Sequence, residues 1–228
     1  MANLAEFGSI FTHIFYLLPL VYVAKYARVL PFFLIVLVIV IIGSMLYHLC
    51  RLNTEEGCLG GIAVSIANDH WFSQSIPPVL GVITLGIPNL IISVLCQIIL
   101  FACAGIYAYL QGDYWFSMAT GLCFAIIGLI IWRKYVFWGI MVCALISAGL
   151  AFLFFFLDDG TNEIYHATWH AFSGIGVYMY IAAILRIAFY TVGELSSDNE
   201  KIANVDGYKA CGFEGFFKNR AIWGPWVF

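Results

Sequence analysis

The run "PFFLIVLVIVIIGSMLYHLC", residues 31–50, has no Asp, Glu, Lys or Arg across its whole length. A helix rises about 1.5 Å per residue, so about twenty apolar residues reach across the roughly 30 Å hydrocarbon layer of a bilayer. Only helices and closed barrels satisfy their backbone N–H and C=O groups there. Comparable runs fall at 9–24, 30–49, 66–87, 89–110, 114–132, 136–157 and 164–190, and no ten-residue alternation suggests barrel strands. Composition agrees: 63% of the 228 residues are hydrophobic and 10% charged, against about 25% charged in soluble domains. The expectation is an all-α membrane protein, a bundle of seven transmembrane helices.

The third run, "SIANDHWFSQSIPPVLGVITLG", carries an Asp, a His and a Pro pair. It reads either as a spanning helix with a polar, protein-facing half or as a re-entrant segment. Lys and Arg concentrate in cytoplasmic loops of membrane proteins. Seven spans with the N-terminus outside place nine of the ten basic residues inside, leaving only Arg51 out; six spans with both ends inside give eight against two. Charge alone does not choose between these topologies. The division expected is a transmembrane domain over 1–193 and a polar and aromatic tail over 194–228 on the inner side.

Histidines settle the count. In "EIYHATWHAF", residues 163–172, His166 and His170 stand four apart, so a helix puts both rings on one face. The same spacing joins Ser44 to His48 in "GSMLYHLC". With seven spans, His48 at the outer end of the second helix and His166 and His170 at the outer start of the seventh share one depth. With six, they lie across the membrane from each other. Three imidazoles with a fourth position open for water form a catalytic zinc arrangement, in which the ion lowers the pKa of water to about 7. Asp69 enters the third helix from the same side and suits a base or water-orienting role, and Ser44 suits either that neighbourhood or simple helix packing. His70 is a further candidate ligand or a bystander. His13 is assigned an ordinary interhelical hydrogen bond.

This combination, Ser44-x3-His48, Asp69 and His166-x3-His170, resembles the CREST superfamily of transmembrane hydrolases. Within it the chain looks most similar to the branch of myomaker and the post-GPI-attachment phospholipases, through "LLPLVYVAKYARVLPFF", "MLYHLC" with Cys58, and "HATWHAF". The resemblance implies a seven-helix fold holding Zn2+ through His48, His166 and His170, with Ser44 and Asp69 beside the reactive water. It implies hydrolysis of an amide or ester bond in a lipid, with the acyl chain entering sideways between helices. It also admits a fusion or receptor protein, or a non-catalytic subunit of a large membrane complex that keeps the fold.

Other classes drop out. A net charge of -3 with ten basic residues offers no stripe for nucleic acid, and no Gly-rich phosphate loop is present. The opening "MANLAEFG" lacks the basic region of a secretory signal, so the first run is expected to be retained. Cys96, Cys103, Cys123 and Cys143 fall within apolar runs as small buried thiols. Cys50 and Cys58 both fall on the outer side, where an oxidising compartment lets them close the loop after His48 as a disulfide. The tail ends "GFFKNRAIWGPWVF", an aromatic segment suited to docking on headgroups or on other membrane subunits.

Overall fold

The computed structural model describes residues 2–52, 62–110, 115–158 and 163–191, and every element among them is helical. The elements are α1 (Ala2–Thr12), α2 (Leu17–Lys25), α3 (Pro31–Leu52), α4 (Ile62–Leu85), α5 (Leu90–Leu110), α6 (Trp115–Ile131), α7 (Trp138–Leu157) and α8 (Glu163–Thr191). A 3₁₀ turn, His13–Tyr16, joins α1 to α2 without leaving the right-handed helical region: Thr12 has φ -69° and ψ -15°, and Tyr16 φ -76° and ψ -13°. Pro19 explains the tightening. It lacks the N–H that would bond the carbonyl of Phe15 four residues earlier, so the turn before it is freed from α-helical pairing.

Five helical stretches are long and apolar enough to cross a membrane: Phe7–Lys25, Pro31–Leu52, Leu90–Leu110, Trp138–Leu157 and Ile164–Phe189. Phe116–Ile131 is apolar but shorter. The third run does not qualify, because Asn68, Asp69, His70 and Gln74 interrupt its apolar character. It is nonetheless one continuous helix with Pro77 and Pro78 inside, not a re-entrant hairpin. Apolar side chains face outward along α5, α6 and α7, among them Ile91, Ile99, Ile106, Leu122, Ile130, Leu145 and Ile146. A bilayer solvates such a surface; water does not.

The apolar core occupies one end of the bundle. Phe33 and Leu37 of α3, Met141 of α7 and Ile181, Ile184, Leu185 and Ile187 of α8 are fully buried there. The Phe137 amide donates to the Ala183 carbonyl at 2.9 Å, tying the start of α7 to α8. Arg186 is buried at this end with its guanidinium over the rings of Tyr135 and Phe137. Two layers build the rest: α8 packs most extensively on α7, and α4 on α6, α5 and α3.

Small residues let α4 and α6 approach closely, as in membrane helix pairs that lack a hydrophobic driving force between them. A Cβ at Gly121 would meet the Pro77 carbonyl carbon at 2.5 Å, and one at Gly128 would overlap the Thr84 carbonyl. Gly86 then ends α4 in the left-handed region at φ 61°, its amide donating to the Ile83 carbonyl at 3.1 Å.

Candidate metal centre

At the other end of the bundle, α3 and α8 bring three imidazoles together. Nε2 of His48 lies 3.2 Å from Nε2 of His170, and Nε2 of His170 lies 3.0 Å from Nε2 of His166. Helical spacing supplies the second contact, since His166 and His170 stand one turn apart on α8. The first contact crosses from α3 to α8, two helices that each pack on α1 and α4. His48 and His170 are both buried, at 0% and 3% exposure, so neither ring can turn to water for a partner.

Proton placement shows what this arrangement asks for. His166 donates Nδ1–H to the Asp158 carboxylate at 2.7 Å, which leaves its Nε2 as a lone pair in the neutral ring. His170 Nε2 faces two nitrogens at once and has at most one hydrogen to offer. One hydrogen makes at most one of these contacts a good hydrogen bond, whereas a cation between the rings would be bound by all three lone pairs. Their spacing is close to the separation of about 3.3 Å between ligands of a tetrahedral ion with Zn–N bonds near 2.0–2.1 Å. The Asp158–His166 bond also matches the carboxylate–histidine pairing that orients metal-ligating imidazoles.

A further imidazole comes from the first span, and the group it forms with His48 and His170 leaves His166 out. His13, His48 and His170 are all buried and lie close enough to hold a metal ion, with ligating atoms within 4.8 Å of one another. The His13 ring stands 4.5 Å from that of His170 and 5.5 Å from that of His48, centroid to centroid. Its hydrogen bond runs within its own helix, Nδ1–H donating to the Ser9 carbonyl at 2.7 Å. His13 Nε2 is buried and has no hydrogen-bond partner. The interhelical bond expected of His13 is thus replaced by an intrahelical one and a bare lone pair.

The remaining candidates take their places around this cluster. Ser44, one turn before His48, is buried with an unpartnered Oγ. Asp69 is buried on α4. His70 is half-buried beside it and stands outside the group of His13, His48 and His170. Cys50 is disulfide-bonded, while Cys58 and the tail from 194 lie outside the described residues.

A cavity of about 300 Å³ adjoins the cluster, walled mainly by apolar side chains of α4, α6, α7 and α8. Its border with the histidines is Trp169, whose ring is 4.6 Å from that of His170, together with Tyr16 and Ser173. Tyr16 and Ser173 share a hydrogen bond of 2.6 Å, and Ser173 Oγ also donates to the His170 carbonyl at 3.0 Å. Away from the cluster the cavity reaches the outward-facing Leu122 of α6 and Leu145 of α7.

Two residues of the cluster escape a reading by sequence spacing. Asp158 is eight positions before His166 and across a connection, so no helical repeat links them; the acidic pair in "FFLDDGTNEIYH" was its only signal. His13 is an isolated imidazole in an apolar run, with its partners on other helices. Comparison with known proteins gave no match to a family model, to a curated protein or to a solved structure.

Proposed function

We propose that this chain is a multi-pass membrane protein of seven spans, N-terminus outside, that hydrolyses an amide or ester bond of a lipid with the aid of zinc. The observation that carries the reading is the meeting of His48, His166 and His170 through their Nε2 atoms, with Trp169, Tyr16 and Ser173 between them and an apolar cavity. The seven-span reading counts α4 and the shorter α6 with the five helices that qualify on length and hydropathy. The resemblance to the CREST hydrolases, carried by Ser44, His48, Asp69, His166 and His170, supports the same reading.

The donor set fits zinc: neutral imidazoles, one of them oriented by a carboxylate, with no thiolate among the described neighbours. A zinc ion supplies Lewis acidity, polarising a carbonyl and lowering the pKa of water to about 7. The chain's own groups do the rest. Asp158 fixes the ring of His166, and the Asp69 carboxylate accepts the proton of the attacking water and passes it to the leaving group. Ser44 Oγ offers a hydrogen bond on the α3 side. The cavity takes the acyl chain, and Leu122 and Leu145 mark its lateral entrance from the bilayer.

The test is elemental analysis of the purified chain together with a panel of ceramides and phospholipids in mixed micelles. Zinc bound in one equivalent and release of fatty acid, both lost in His170→Ala, support the reading. A folded, metal-loaded chain that cleaves none of them moves the function to a non-catalytic subunit of a membrane complex.

A further inference from the structure

His13 has a role that the three-histidine reading leaves unassigned. Its Nδ1–H is committed to the Ser9 carbonyl, so the ring presents a lone pair at Nε2, and that atom is buried without a donor. A buried acceptor left bare costs about 1–3 kcal/mol. The rings in contact with it are those of His48, His170 and Tyr16. The Tyr16 hydroxyl is already engaged with Ser173. What faces His13 is the nitrogen cluster of His48 and His170.

The backbone is arranged to bring it there. Gly174, one turn beyond His170 on α8, lies against the 3₁₀ turn: a Cβ at that position would stand 2.9 Å from the Phe15 carbonyl carbon and 3.1 Å from the Tyr16 nitrogen. With no side chain at 174, the turn carrying His13 can seat directly on α8. A 3₁₀ interruption inside a longer helix is a common place for movement, and this one begins at His13 itself.

We propose that His13 is a fourth imidazole ligand, closing the coordination sphere of an ion held by His48, His166 and His170. The inference rests on the metal reading above and changes its consequence. A sphere of four protein ligands is the closed form found at structural zinc sites, whereas a catalytic site keeps one position for water. Coordination by all four imidazoles would be a closed state of the centre. The 3₁₀ turn must draw His13 back from α8 before water or a substrate carbonyl can take its place.

X-ray absorption at the zinc edge tests this on the full-length chain in detergent, with Zn2+ alone as the ligand. The wild type is expected to show four imidazole nitrogens. His13→Ala is expected to show three and one oxygen, with zinc stoichiometry unchanged. Gly174→Ala removes no ligand but crowds the turn, and is expected to shift the spectrum in the same direction; it keeps the test open if His13→Ala fails to fold. Three nitrogens and an oxygen in the wild type, with an identical spectrum in both variants, overturn the proposal while leaving the three-histidine site intact. A wild type that binds no zinc overturns both, and the two failures are thereby told apart.

Discussion

Asp158, at the end of α7, accepts the Nδ1 hydrogen of His166 across 2.7 Å, so this carboxylate decides which nitrogen the ring turns toward His170. The carboxylate fixes the tautomer and raises the basicity of Nε2. It belongs to the centre as much as the imidazoles do.

Replacing that carboxylate should weaken metal binding without dismantling the bundle. Asp158→Ala is expected to lower zinc affinity about 10–100-fold, the usual cost of losing such a partner. Competition with a chromophoric chelator measures it. An affinity equal to that of the wild type would show that the hydrogen bond has no part in holding an ion.

Removing His170 is expected to have a larger effect, because its Nε2 faces both His48 and His166. His170→Ala should bring bound zinc to background by mass spectrometry, with helical circular dichroism unchanged. Retention of the metal would place the ion elsewhere.

The cavity can be filled without touching the histidines. Ala148 lines it on α7, and Ala148→Phe should occupy the space of about three methylenes, weakening an acyl chain by about 2.4 kcal/mol, or roughly fifty-fold. Photolabelling with a diazirine fatty acid reads the change, while zinc content stays constant. Undiminished labelling would move the lipid site off this cavity.

At the far end of the bundle, Gly128→Ala drives a methyl into the Thr84 carbonyl. Overpacking of this kind costs about 1–3 kcal/mol. A lower midpoint in a thiol-reactive dye melt is expected, with metal content unaffected. A midpoint unchanged from that of the wild type would mean that α4 and α6 can separate freely.

Cys50 is disulfide-bonded, and the sequence points to Cys58 as its partner. Peptide mapping without reduction should recover the two cysteines linked. Both thiols found free would remove the brace after His48.

Much of this architecture was legible before any coordinates, and the boundary of what was legible has a physical cause. Unbroken apolar runs announce helices such as Pro31–Leu52 and Trp138–Leu157 because a bilayer demands the same property at every position. The run at 66–87 was ambiguous because α4 carries Asp69 and Gln74 inward, where neighbouring helices rather than lipid receive them. Within the centre, His166 and His170 declare themselves by sharing a helix face. His13 and Asp158 do not, since their positions depend on how α1 and the end of α7 are seated against α8. The close approach at Gly174 that seats the first of these is likewise a property of two helices, invisible in either one alone.

The sideways mouth proposed at Leu122 and Leu145 has a kinetic corollary. A ligand entering there would be delivered by diffusion within a leaflet, so its occupancy would follow mole fraction in the membrane. Adding inert lipid should then slow loading at fixed total ligand, as in surface dilution, while stirring or enlarging the aqueous volume should change nothing.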